Sequence, residues 1–181
     1  ERVLFATNNS FARPAEQEAK LERFGIPAHG DVLTSAMAAA RLVEAGERAL
    51  VCGGPGIAEA LEGRGATPVR DGDADAVVVG FHRDFDYERL RVAVRAVQRG
   101  ARLIATNDDA TYPTPDGPIP GGGAIVAAVA YASGVRPVVA GKPEPPMHHE
   151  MVLRTGARRP LVVGDRLDTD IEGARRAGVD S

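Results

Sequence analysis

Val3-Leu4-Phe5-Ala6-Thr7-Asn8-Asn9-Ser10, with Pro14 and the stretch Ala15 to Phe24 behind it, decides how this chain is built. The apolar run stops at a polar loop. Pro14 then presets a helical φ, and Gly25 is placed to end the helix. The unit is strand, polar loop, helix, and it recurs outward along the chain. Strand-like runs follow at Ala49-Leu50-Val51-Cys52, Ala76-Val77-Val78-Val79, Leu103-Ile104-Ala105, Val138-Val139-Ala140 and Leu161-Val162-Val163. Helical stretches are expected at Ser35 to Glu44, with Thr34 or Ser35 as N-cap, and at Ile57 to Leu61, Tyr87 to Gln98, Ala124 to Ala132 and Met147 to Arg154. Continuous apolar strands between amphipathic helices describe an α/β protein with largely parallel sheets covered on both faces.

Composition narrows the function. The 181 residues are long enough to bury roughly 70% of the unfolded surface. With 44% hydrophobic residues, 26% charged residues and a net charge of -3, the chain is an ordinary globular one with no basic field for a nucleic-acid polymer. No apolar stretch approaches the ~20 residues of a membrane-spanning helix. The single Cys52 cannot form an internal disulfide, so a reducing cytoplasm is the expected compartment. Of 22 basic residues only Lys20 and Lys142 are lysines. A lysine in a Gly-Lys-Pro turn then suggests a site that needs a compact point charge.

In a doubly wound sheet, ligands bind beyond the carboxyl ends of the strands. Three such ends stand out: Thr7-Asn8-Asn9, Gly141-Lys142-Pro143, and Gly164-Asp165 leading to Asp168-Thr169-Asp170. A hydroxyl with amide donors, an ammonium and a set of carboxylates suit a phosphate and its metal ion. Each has a plainer reading: a helix cap, a surface lysine, an acidic first turn facing a helix dipole. Their joint placement at strand ends favours a site. Gly53-Gly54-Pro55-Gly56 also follows a strand, but it lacks the spacing of the dinucleotide fingerprint. His148-His149 has no spaced partners that suggest zinc, and both histidines are expected to be solvated. The Pro- and Gly-rich loop from Asp108 to Gly123 is long for a compact domain and is a candidate functional loop.

Phe5-Ala6-Thr7-Asn8-Asn9-Ser10, Ala140-Gly141-Lys142-Pro143 and Val163-Gly164-Asp165-Arg166-Leu167-Asp168-Thr169-Asp170-Ile171 resemble the second, third and fourth motifs of the haloacid dehalogenase-like superfamily. Together with Leu33-Thr34-Ser35-Ala36 and Ala110-Thr111-Tyr112-Pro113, they resemble its NagD-type branch of small-molecule phosphatases. The resemblance implies a three-layer Rossmann-like core in two parts, residues 1–45 and 137–181, with an α/β cap domain inserted at 46–136. It implies a magnesium-dependent phosphatase acting on small-molecule phosphate monoesters through a phospho-aspartyl intermediate. By similarity Thr7, Asn8 and Asn9 bind the phosphoryl oxygens, and Lys142 neutralises developing charge. Asp165 binds Mg2+ and Asp170 supports the metal shell. Asn107, Asp109 and Tyr112 are expected to face the leaving group from the cap. The family's first motif, with its nucleophilic aspartate, is absent between Glu1 and Ser181 and is expected upstream, so this chain alone should be nearly inactive and bind magnesium weakly. Homodimers formed through the cap are common in similar proteins. Two other readings stay open here: a phosphate-binding protein of the same fold without turnover, and a dinucleotide-dependent oxidoreductase.

Overall fold

In a computed structural model that describes residues 2–181, the alternation of strand and helix holds through most of the chain. β1 (Phe5–Thr7) leads into α1 (Pro14–Glu22), β2 (Val32–Thr34) and α2 (Ser35–Ala40), and β1 pairs with β2 in parallel. Then come β3 (Arg48–Cys52), α3 (Pro55–Glu62), β4 (Thr67–Val69), β5 (Ala76–Val79), α4 (Tyr87–Gln98) and β6 (Arg102–Ala105). The hairpin β7 (Thr111–Tyr112) and β8 (Ile119–Pro120), α5 (Gly122–Ser133), β9 (Val138–Val139), α6 (Pro145–Thr155), a π-helical turn at Leu167–Ile171 and α7 (Glu172–Ala177) complete the order. A five-stranded sheet runs β4-β3-β5-β6-β9 with every pairing parallel.

The register of this sheet aligns its strand ends. Cys52 lies opposite Val79, Val79 opposite Ala105, and Ala105 opposite Val139. Four strands therefore end on one line, and the loops that leave them gather at one edge. β5 is buried at every residue, and its side chains divide with the strand period of two. Val77 and Val79 pack under α4 and α5, whereas Ala76 and Val78 pack with α2 and α3. Burying a valine side chain contributes roughly 1.5–3 kcal/mol, so this central strand anchors both layers.

Several elements depart from the sequence expectations. Leu161-Val162-Val163 forms no extended strand among the described residues. It makes one bridge, Leu161 to Asp180, and leaves Leu161 66% and Val163 87% exposed. A strand exists only where a neighbour supplies a ladder, and an apolar run cannot report that. α2 ends at Ala40 rather than Glu44, because Arg41, Leu42 and Val43 donate their amides three residues back instead of four, tightening the last turn. β2 and β4 are additions to the expected set; both have three residues, and β4 is an edge strand containing Pro68. Apolar packing is continuous across the bounds expected for the inserted segment. Leu33 and the alanines of α2 share one cluster with Ile57, Val78 and Ala140, and β9 extends the larger sheet through β6. No helix among the described residues is long and apolar enough to cross a membrane.

Candidate active site

The loops after β1 and β9 converge, and Asp170 of the π-helical turn meets them. Asn8, just past β1, receives the Lys142 backbone N–H on Oδ1 at 2.8 Å and donates Nδ2 to the Lys142 carbonyl at 3.0 Å. Gly141 permits this approach: a methyl group there would meet the Thr106 carbonyl at 2.5 Å and Asn8 Oδ1 at 2.7 Å. Lys142 then turns its ammonium inward, donating to the Ala6 carbonyl at 2.9 Å and to Asp170 Oδ1 at 2.7 Å. With Lys142 and Asp170 side chains only 13% and 11% exposed, this ion pair is largely screened from water.

Asp170 is placed by the π-helical turn. The Arg166 amide donates to its Oδ2 at 3.3 Å, and the side chain lies against Gly164, where a Cβ would strike the carboxylate. Asp165 is exposed and makes no hydrogen bond or ion pair among the described residues. Asp168 is held by Arg166, which contacts both its oxygens at 3.1 and 2.7 Å and keeps its carboxyl below the usual range. Arg166 also donates to Asp109 Oδ1 at 2.8 Å, and these carboxylate bonds hold its guanidinium above the ordinary range.

The other expected site residues are largely occupied in shaping the loops. Thr7 Oγ1 accepts from the Asn9 amide at 3.1 Å, and Asn9 Oδ1 accepts from the Phe11 and Ala12 amides. Asn107 is buried and donates to the Asn8 carbonyl at 2.7 Å. Asp109 Oδ2 accepts from Asn8 Nδ2 at 2.9 Å, so its carboxylate bridges Asn8 and Arg166. Tyr112 stacks on Phe81 with ring centroids 4.9 Å apart.

Several pairings that hold these loops carry no signal in the sequence, although Ser10, Ser35 and Arg166 lie inside its motifs. Ser35 Oγ donates to the Asn8 carbonyl at 2.8 Å, and buried Thr106 donates to Ser10 at 2.9 Å. Arg166 lies inside an acidic run whose carboxylates draw the attention. His148, expected to be solvated, is buried against Gly173, and its Nε2 has no hydrogen-bond partner among the described residues. Gly54 and Gly56 are packing glycines: the Gly56 amide donates to the Phe11 carbonyl at 3.0 Å, seating α3 against the loop after β1.

Comparison with known proteins fits this arrangement. A haloacid dehalogenase-like hydrolase family model matches residues 1–67, and a HAD-hydrolase-like model matches residues 139–181. The acid sugar phosphatase of Staphylococcus saprophyticus is 38% identical over 98% of this chain and 71% of its own length. The chain belongs to the haloacid dehalogenase-like hydrolases. Within that family it sits with the NagD-type phosphatases. The D-glycerol 3-phosphate phosphatase of Mycobacterium tuberculosis is 44% identical over 99% of this chain, and the chain spans about half of that relative, 53%. Among solved structures, a glycerol phosphate phosphatase from Mycobacterium tuberculosis in complex with magnesium superimposes with a TM-score of 0.94 at 43% identity, covering 99% of this chain and 56% of that one. A double-mutant thermostable NPPase from Geobacillus stearothermophilus also gives 0.94, at 38% identity, covering 98% of this chain and 74% of that one.

The donor set suits magnesium in kind. Asp165 offers an uncommitted hard oxygen directly after Gly164, which packs on Asp170 of the Lys142–Asp170 pair, and magnesium keeps several waters and needs few protein carboxylates. Among the described residues no three His, Cys, Asp or Glu side chains gather as a self-sufficient cage.

Proposed function

We propose that the full-length protein is a magnesium-dependent phosphatase of small phosphate monoesters, with its phosphoryl site at the meeting of Thr7, Lys142 and Asp165. The observation that carries this reading is the Lys142 ammonium, held between the Ala6 carbonyl and Asp170 at the carboxyl end of β1. A lysine fixed by two acceptors in a mostly buried position presents its charge without reorganising, which is what a developing phosphoryl charge requires.

Each residue then has a physical task. Thr7 Oγ1 accepts the Asn9 amide, which leaves its O–H to donate to a phosphoryl oxygen. Asn8 acts through its side chain, pinning the Lys142 backbone to the loop after β1, and Asn9 sets the turn of that loop by accepting the Phe11 and Ala12 amides. Asp170 orients Lys142, and Asp165 would hold Mg2+. The ion, when bound, supplies Lewis-acid neutralisation of phosphoryl charge. An aspartate carboxylate attacks phosphorus as the ester P–O bond breaks and the alcohol leaves with a proton, and water then hydrolyses the phospho-aspartate, releasing inorganic phosphate and restoring the carboxylate. Residues 46–136 serve as the cap, with Tyr112 facing the leaving group and Asn107 and Asp109 holding the cap loop to Asn8. Release of inorganic phosphate from a panel of monoesters by the full-length protein, beside Lys142→Ala, tests the reading. No release from any ester would refute it.

A further inference from the structure

Beside the phosphoryl site lies an aromatic shelf assembled from three separate elements. Phe11 comes from the loop after β1, Phe81 from the segment that follows β5, and Tyr112 from β7. Phe81 and Tyr112 stack with an interplanar angle of 9°, and Phe11 meets Phe81 edge-on at 5.8 Å. The shelf is tied to the phosphoryl loop by short links. The Phe11 amide donates to Asn9 Oδ1 at 3.1 Å, and Gly80, preceding Phe81, packs so closely on Ser10 and Thr106 that a methyl group would meet both hydroxyls at 2.6 Å. Against the shelf lies Arg83, its guanidinium carbon 5.8 Å from the Phe11 centroid and 5.9 Å from that of Phe81.

Arg83 differs from Arg166, the other arginine of this edge. Arg166 is committed to Asp109 and Asp168, whereas Arg83 is exposed and has no carboxylate partner among the described residues. A cation–π contact at this distance draws the guanidinium toward the rings while leaving its N–H fork open, and that fork matches a carboxylate or phosphate. The net charge of the chain is -3, so a cation left unpaired beside an anion-handling site is not part of a general basic surface.

We propose that Arg83 is a specificity-determining residue that receives an anionic terminus of the leaving group, so that preferred substrates are phosphate monoesters carrying a second negative charge. The aromatic shelf supports the carbon skeleton between the two charges. This inference rests on the phosphatase reading and adds the substrate class to it.

The test uses the full-length protein with magnesium and three esters of one three-carbon frame: glycerol 3-phosphate, 3-phosphoglycerate and propane-1,3-diyl bisphosphate. The expected result is a kcat/KM for an acidic ester about tenfold or more above that for glycerol 3-phosphate, a preference that Arg83→Gln largely removes and Arg83→Lys partly keeps. The second and third esters distinguish a carboxylate from a phosphate as the favoured terminus. Equal kcat/KM for all three esters in the unsubstituted protein overturns the inference. So does an Arg83→Gln variant that loses the same factor on every ester, since that marks Arg83 as structural. p-Nitrophenyl phosphate serves as the control: its hydrolysis alongside no acidic preference refutes only the role of Arg83, and no hydrolysis of any ester refutes the phosphatase reading as well.

Discussion

The side chain of Asn8 binds both backbone groups of Lys142, accepting its N–H at 2.8 Å and donating to its carbonyl at 3.0 Å across 134 residues of sequence. A carboxamide offers its acceptor and its donor on two adjacent atoms of one planar group, as these two backbone groups require. Asn8→Ala should leave two backbone groups without partners and cost about 1–3 kcal/mol. Asn8→Asp should be worse, because it sets carboxylate oxygens against the Lys142 carbonyl and Asp109. Chemical denaturation of the three proteins checks the order; an Asn8→Asp variant as stable as the parent would refute it.

Lys142 is held by Ala6 and Asp170 rather than by apolar packing. In the full-length protein Lys142→Ala should lower turnover by two or more orders of magnitude. Lys142→Arg should rescue little, since a planar fork cannot occupy a pocket built around a compact ammonium. Steady-state kinetics with circular dichroism of both variants separates this from misfolding.

Much of the fold is legible in the sequence because long buried strands and strongly patterned helices carry their own signal. β5 is an uninterrupted apolar run, and α4 has the bounds its pattern predicts, with Asp86 capping it through the Arg89 amide. Short elements are not legible: three residues of β2 or β4 hold too little periodicity, and β4 carries a proline. Leu161-Val162-Val163 has the composition of a strand, but strand formation depends on a partner. Of the site, the converging loops are visible as residue types at strand ends. The partners that organise them, Arg166 on Asp109, Ser35 on Asn8 and Gly80 against Ser10, connect residues far apart in sequence and have no local signature.

Gly141 packs against the backbone carbonyl of Thr106, the residue that follows β6. That obstacle cannot rotate away. Gly141→Ala should therefore destabilise the protein by about 1–3 kcal/mol and displace Lys142. Thermal unfolding and phosphate release should fall together, and an unchanged midpoint would show that the loop yields freely.

His148 is buried on α6 against Gly173 of α7. Burial, and then the charge of Lys142, push its imidazole below the ordinary 6.5, with Asp170 opposing. In the unfolded chain the same group takes a proton near the ordinary value, so below it the unfolded state binds more protons than the folded one. Stability is then full above about pH 6.5 and falls as pH drops from there toward the folded-state value. Urea unfolding between roughly pH 7 and pH 5 should show a decline that His148→Leu reduces. Parallel pH profiles for the two proteins would contradict this.

The central claim is that Lys142 and Asp165 belong to one magnesium-dependent phosphoryl site, and phosphate release by the full-length protein tests it most directly. The rate on p-nitrophenyl phosphate should collapse when EDTA is added, return when excess magnesium is restored, and stay near background in Asp165→Asn at any magnesium concentration. Equal rates with and without the chelator, or an Asp165→Asn protein that turns over normally, would contradict the account.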